Sequence, residues 1–163
     1  MTDRPPQAEL QVFLQEIRAI GYAEENAEIT HAPDGAHTIR YQKGDWTYED
    51  SFYGGEPYGG REIIHHHGRP VWFAGYYGYL LETELTSSDV YRFLREALRE
   101  ASEEVVYRSP VRYAAGDLEY VNECEGNQNR FQGTERIREG GQGIYVCDYF
   151  GGLVDQPAPA KMS

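Results

Sequence analysis

The sequence has few cysteines and few basic residues, and both shortages exclude classes of protein. Its 163 residues include only Cys124 and Cys147, with no CxxC pair, which argues against a disulfide framework or a cysteine-rich zinc site. Fifteen Lys and Arg residues oppose 27 Asp and Glu residues, for a net charge of −12. Nucleic-acid phosphates and anionic membranes repel such a surface. We therefore expect no direct nucleic-acid or membrane binding, and a basic partner or cationic ligand would be favoured.

Long apolar runs and familiar catalytic motifs are also absent from the sequence. No stretch approaches the length that a membrane helix needs, and the first residues lack the apolar segment of a secretory signal. We therefore expect a cytoplasmic protein. Ser-His-Asp signatures, phosphate-binding glycine loops and HExxH helices are missing, so the sequence predicts no cofactor and no catalytic residue.

What the sequence does contain is a pattern that occurs twice. Arg-Tyr-x-x-Gly-Asp-x-x-Tyr stands at 40–48 and again at 112–120. Gly-x-Glu-x-Ile follows at 60–64 and at 133–137, and Tyr-aromatic-Gly-x-Leu at 76–80 and at 149–153. Self-similarity of this kind predicts an architecture built from repeats.

Residue periodicity predicts the same elements around each copy of the pattern. Apolar residues at helical spacing indicate a helix over 7–20 and a second one that begins near Thr86, whose Thr86-x-x-Asp89 resembles a capping box. The polar stretch 24–35 is expected to be a loop with one short element at most. Period-two alternation and turn residues predict eight strands, over 37–42, 46–53, 59–66, 71–80, 111–115, 118–124, 132–138 and 144–150.

These elements lead to an α+β fold prediction based on internal duplication. We expect two units, each a helix followed by a four-strand antiparallel meander, packed into one compact protein. Residues 1–85 would form the first unit, residues 86–154 the second, and residues 155–163 a flexible tail. The sequence leaves open whether the units meet through their helices or join edge strands into one longer sheet.

The order of these motifs resembles a bacterial domain family of unknown function. The shared features over residues 8–153 are a Gly-Asp turn, an aromatic strand, a Gly-rich loop, a Gly-x-Glu strand and a final Tyr-aromatic-Gly. Members of that family occur alone or joined to helix-turn-helix regulators. The resemblance implies a shared fold. Because no DNA-binding helix pair precedes the domain in this sequence, any regulatory role would have to act in trans.

Two polar residues recur on strand faces that are otherwise apolar. Asp50 alternates with Trp46, Tyr48 and Phe52, and the second copy has Asn122 at the matching position. Glu62 likewise recurs as Glu135. Buried carboxylates need partners, so one interpretation is structural, with each side chain receiving a Tyr hydroxyl. The other interpretation is a carboxylate that faces a ligand.

Aromatic residues crowd the first copy and give the candidate ligand site. Rings with polar groups build pockets that stack planar or cationic ligands, although core filling must account for many of them. The predicted ligand-binding residues are Trp46, Tyr48, Asp50, Tyr58, Glu62, Trp72 and Tyr76.

The three consecutive histidines 65–67 are a weak metal candidate. On a strand, His65 and His67 would point the same way and could share an ion. The sequence offers no further ligand at a suitable spacing, and the second copy has Arg138-Glu139-Gly140 here. No metal site is therefore predicted. The two cysteines are expected to be buried and inert, because every histidine lies at or before position 67.

Taken together, these features favour a non-enzymatic, acidic binding module. It would recognise a small molecule or a protein partner, which could be basic, through an aromatic-lined β-surface, and a regulatory role fits such a module. One alternative is an inhibitor or antitoxin-like protein whose acidic surface covers a basic partner. Another is a small acid-base enzyme that uses Asp50, Glu62 and histidines.

Overall fold

The computed structural model of the protein describes residues 6–21, 29–100 and 111–155. Within them lie two helices and nine strands. The elements are α1 (Gln7–Gly21), β1 (Ile29–His31), β2 (His37–Lys43), β3 (Trp46–Gly54), β4 (Tyr58–His66), β5 (Arg69–Leu80), α2 (Ser87–Arg99), β6 (Arg112–Ala115), β7 (Leu118–Asn127), β8 (Arg130–Glu139) and β9 (Gln142–Leu153). Both predicted helices and all eight predicted strands are confirmed, and β1 is a short element in the described part of the expected loop, residues 29–35.

All nine strands belong to one antiparallel sheet, in the order β1-β2-β3-β4-β5-β9-β8-β7-β6. The central pair is β5 and β9, which run together from Trp72 opposite Leu153 to Leu80 opposite Tyr145. The predicted fold of two helix-plus-four-strand units is therefore wrong. The described residues form one continuous sheet with two short helices.

Edge-strand pairing explains the difference. β5 and β9 are the two longest strands, at 12 residues each, and as edges of separate meanders each would present unpaired backbone groups. Pairing them satisfies both edges and merges the two meanders. The helices do not belong to separate cores either, because their buried residues form one hydrophobic cluster with the sheet.

Both helices cover the same face of the sheet. On α1, Phe13 contacts Tyr41 and Trp46, and on α2, Phe93 contacts Tyr113. Tyr41 is paired with Tyr48 and Tyr113 with Tyr120, so all these rings lie on one face. The predicted start of α2 is confirmed, because the Asp89 amide donates a 3.1 Å hydrogen bond to Thr86 Oγ1.

The opposite face of the sheet carries exposed aromatic rings. Tyr53, Tyr77 and Phe150 are all about half exposed or more. The Phe150 ring lies over Gly75, where an added Cβ would stand 3.0 Å from Phe150 Cζ. No helix of the described residues covers this face.

Two further expectations concern the ends and the membrane. Of the predicted tail, 155–163, only Asp155 belongs to the described part of the chain, so that prediction lies outside it. In residues 6–21, 29–100 and 111–155, neither helix has the length and apolar character needed to cross a bilayer.

Candidate functional site

The recurring polar residues of the first copy accept hydrogen bonds from tyrosines inside the core. The Tyr48 hydroxyl donates to Glu62. The Tyr76 hydroxyl donates to Asp50 Oδ1 over 2.5 Å. Glu62 is 1% exposed and Asp50 6%, so neither carboxylate reaches the protein surface. This geometry matches the structural interpretation of the pattern.

The second half of the sheet contains the same arrangement. Tyr120 donates to Glu135, and Tyr149 donates to Asn122 Oδ1 over 2.5 Å. All four side chains are buried. Burial raises the pKa of the Tyr149 hydroxyl, with its hydrogen bond to Cys124 acting in the same direction, so this tyrosine stays protonated and remains a donor.

Glycines make room for two of these tyrosines. A Cβ at Gly60 would lie 2.5 Å from the Tyr76 hydroxyl and 2.6 Å from the Ser51 carbonyl oxygen. Gly133 stands in the same relation to Tyr149 and to the Glu123 carbonyl oxygen. The repeated Gly-x-Glu-x-Ile sequence therefore has a physical reason: the glycine lets a tyrosine cross the strand, and the glutamate accepts a tyrosine hydroxyl.

The remaining predicted site residues occupy different environments. Trp72 is 1% exposed, and its indole N–H donates to the Gln128 carbonyl over 3.1 Å. Tyr58 is half-buried and shares a hydroxyl–hydroxyl bond with Tyr145. Trp46, by contrast, lines an open cavity near α1. The seven therefore do not form a single surface site.

Trp46 belongs to a groove between α1 and the turn that joins β2 to β3. The groove has a volume of about 490 Å³, within the usual range for ligand pockets. Three rings form its floor: Phe13, Trp46 and His66. The Trp46 and His66 rings stack with centroids 4.2 Å apart, and the Phe13 and Trp46 centroids are 5.5 Å apart.

The rim of the groove is mostly acidic. Its charged residues are Glu9, Glu16, Lys43 and Asp45. Lys43 Nζ is 2.6 Å from Glu16 Oε1, so this ion pair neutralises one carboxylate. No described residue forms an ion pair with Glu9, and the partner of Asp45 is His67 at 3.6 Å, which is charged only when protonated. The remaining rim charge is therefore negative near neutral pH.

Burial and the neighbouring carboxylates act in opposite directions on the pKa of His66, at the floor of the groove. Burial lowers the pKa of its imidazole below the ordinary value, and His67 adds to this effect, while the carboxylates of Glu9 and Asp45 oppose it. The imidazole is therefore neutral at neutral pH and free to stack on Trp46. Glu9 and Asp45 line the same groove as this ring.

Local sequence explains how the groove forms. Glu9, Val12, Phe13 and Glu16 follow the spacing of one helix face. Gly44 takes φ +59 in the turn, which lets the chain reverse tightly before Trp46. Trp46 is then opposite His66 in the β3–β4 register.

Sequence reasoning missed most of this groove. Only Trp46 was among the predicted residues, whereas Glu9, Phe13, Asp45 and His66 were not. The available signal was the helix face that carries two carboxylates beside an aromatic ring, together with the Lys43-Gly44-Asp45 turn that precedes Trp46. Nothing in the sequence indicated that these segments meet.

A larger cavity, of about 830 Å³, follows the outer edge of β7. β6 pairs with β7 only as far as Val121, and the backbone N–H of Asn122 then donates to the Val111 carbonyl. Beyond that point no described strand pairs with this edge, so residues from both faces, such as Tyr149 and Asp148, line the cavity. Residues 101–110, which precede Val111, lie outside the described part, and we assign no ligand role to this cavity.

The histidine cluster does not form a metal centre in the structure. β4 ends at His66, and His67 enters the turn with φ +52, so the strand geometry that would align His65 with His67 stops before it. Among residues 6–21, 29–100 and 111–155, no group of three or more His, Cys, Asp or Glu side chains could hold an ion.

The two cysteines are free thiols. Cys147 is fully buried and Cys124 is half-buried. Burial raises the pKa of the Cys124 thiol, which lowers its nucleophilicity at neutral pH. The expectation of two buried cysteines is therefore met by Cys147 and only partly by Cys124.

Comparison with known proteins finds one family match. Residues 50–154 match the model of a family described as a domain of unknown function, DUF5680. This range contains α2 and most of the sheet, whereas α1 and Trp46 precede it. No curated protein and no solved structure matches the chain.

Proposed function

The chain belongs to the DUF5680 family, whose function is unknown, and we propose that it is a non-enzymatic binding module that takes a small molecule in the groove beside Trp46. The observation that carries this proposal is the cluster of three rings on the floor of an open cavity. Aromatic walls with a few polar groups at the rim are typical of ligand sites.

The groove supports this proposal better than the buried carboxylates do. Asp50 and Glu62 are buried and accept hydrogen bonds from tyrosines, so an acid-base enzyme built on them would need its substrate inside the core. Val12, by contrast, is 54% exposed beside the groove. An exposed aliphatic side chain next to aromatic rings gives a ligand apolar surface to cover.

The cellular setting belongs to the same proposal. A module of this kind in the cytoplasm could serve a regulator in trans, as the resemblance to domains joined to helix-turn-helix proteins implies. A net charge of −12 makes naked duplex DNA an unfavourable direct partner.

The test is a fragment screen by ligand-observed NMR, repeated on Val12→Arg. The long Arg side chain would occupy the groove without entering the core, because Val12 is exposed. Ile29→Arg is the matched control, since Ile29 is an exposed aliphatic residue on β1, at the edge of the sheet. We expect a set of fragments that binds the wild type and Ile29→Arg but is lost from Val12→Arg.

Two results would contradict the proposal. Fragments that bind Val12→Arg as well as the wild type would locate the binding site elsewhere. A screen without any fragment sensitive to Val12→Arg would show that the groove is not a small-molecule site.

A further inference from the structure

We infer that the ligand of the Trp46 groove is a small organic cation, with a guanidinium, amidinium or quaternary ammonium group next to a flat or apolar body. This inference rests on the proposed function and adds the charge and chemical class of the ligand. It depends on two features of the groove that are independent of each other, namely its ring-lined floor and its acidic rim.

The floor offers the contacts that such a cation uses. Phe13, Trp46 and His66 line one cavity, and aromatic faces attract cations through their quadrupole, most strongly for tryptophan. His66 strengthens this environment only while it is neutral. Burial keeps its pKa low, so the ring adds stacking surface without adding a competing positive charge.

The rim supplies the matching charge. Glu9 on α1 and Asp45 in the β2–β3 turn both line the groove, which lies between these two segments. Lys43 does not cancel them, because it is paired with Glu16 at 2.6 Å. A cation seated over the rings would therefore lie between two carboxylates, whereas an anion would be repelled by both.

The experiment compares three ligands of the same shape and different charge: benzamidinium, benzamide and benzoate. Their dissociation constants are measured by isothermal titration at low ionic strength, where surface charges act most strongly. We expect benzamidinium to bind about tenfold more tightly than benzamide and benzoate not to bind. Val12→Arg should abolish the binding of benzamidinium, since its own guanidinium would occupy the groove.

A double variant tests the role of the rim carboxylates. Glu9→Gln with Asp45→Asn removes the two charges, and Glu82→Gln with Glu84→Gln changes the net charge equally at exposed positions outside the groove. We expect the first double variant to reduce the preference for benzamidinium over benzamide to about twofold or less, and the second to keep it. The preference should also fall as salt is added.

Several outcomes would overturn the inference, and they are separable from failure of the proposed function. If benzamide and benzamidinium bind with equal affinity and both are lost in Val12→Arg, the groove remains a ligand site, and the inference that its ligand is a cation is refuted. If both double variants lose the preference for benzamidinium equally, the net charge of the protein, and not the rim carboxylates, would be its cause. A wild-type dimer that Val12→Arg dissociates in sedimentation would mean that a second copy covers the groove. No V12R-sensitive binding of these probes or of any fragment would refute both proposals.

Discussion

In each buried tyrosine–carboxylate pair, the tyrosine hydroxyl gives the carboxylate the hydrogen-bond donor that it needs inside an apolar core. A carboxylate on an apolar strand face is unfavourable in isolation. Here each one accepts a hydrogen bond from a core-filling tyrosine on another strand, as Glu62 accepts from Tyr48. The same side chain thus supplies apolar surface and a hydrogen-bond partner.

Substitution of Asp50 separates its structural role from a ligand role. In Asp50→Asn the amide oxygen can still accept from Tyr76, as Asn122 accepts from Tyr149. We expect the free energy of unfolding to change by less than about 1 kcal/mol and the groove fragments to bind unchanged. Asp50→Ala removes the acceptor and should cost about 1–3 kcal/mol, as measured by urea denaturation. If Asp50→Asn loses fragment binding while its stability is unchanged, Asp50 is part of the ligand site and the structural interpretation is wrong.

A double-mutant cycle measures how strongly the buried pair is coupled. Tyr48→Phe and Glu62→Ala, which remove the donor and the acceptor, are made singly and together, and urea denaturation gives the unfolding free energy of each variant. Because both groups are buried, we expect a coupling energy of about 0.5–3 kcal/mol.

The control for this cycle is the exposed pair of Tyr53 and Asp34. Their hydrogen bond is 2.6 Å long but lies on the surface, where water competes for both groups. The cycle of Tyr53→Phe with Asp34→Ala should give no measurable coupling. Equal coupling in the two cycles would show that burial does not set the strength of these bonds.

At the scale of elements, glycines decide where the core tyrosines can go. Gly60→Ala places a methyl group 2.5 Å from the Tyr76 hydroxyl and 2.8 Å from Phe52 Cβ. We expect a loss of about 1–3 kcal/mol in unfolding free energy, because the strand and the tyrosine cannot both keep their positions.

Gly55→Ala is the matched control for this substitution. A Cβ at Gly55 meets nothing within 4 Å, and its φ lies outside the left-handed region. Its unfolding free energy should stay within about 0.5 kcal/mol of the wild type. If Gly60→Ala is as stable as Gly55→Ala, Tyr76 has another position available and the glycine is not required.

Local elements were predictable from the sequence, while their assembly was not. Periodicity located both helices and eight strands because it depends on neighbours within a few residues. The pairing of β5 with β9 joins positions such as Tyr76 and Tyr149, and no local pattern records that choice. The groove was not predicted for the same reason, since Phe13, Trp46 and His66 come from three distant segments.

The two faces of the strands show what alternation can and cannot tell. It correctly placed Tyr48, Asp50 and Glu62 on the inner side. It did not decide whether the inner side held a ligand or only the core, because that depends on how closely the helices cover it. Both helices pack over this face, and the groove that contains Trp46 opens beside α1.

At the scale of the whole molecule, the central β5–β9 pair decides whether the chain behaves as one unit or two. Trp72 on β5 and Cys147 on β9 are both buried in one core. We expect them to lose protection at the same urea concentration, because breaking either half exposes an edge and the shared hydrophobic cluster. This expectation opposes a division of the chain into independent units at 1–85 and 86–154.

Two probes on opposite halves of the sheet test that cooperativity. In a Trp46→Phe, Cys124→Ser background, Trp72 fluorescence reports on β5, and the reaction of Cys147 with a thiol reagent reports on β9. Coincident transitions are the expected result, since one sheet and one core must open together. If Cys147 becomes reactive while the fluorescence of Trp72 is still native, β9 can leave β5 without unfolding it. The two halves would then be separately stable, and the central pairing would be an interface between two units rather than the middle of one.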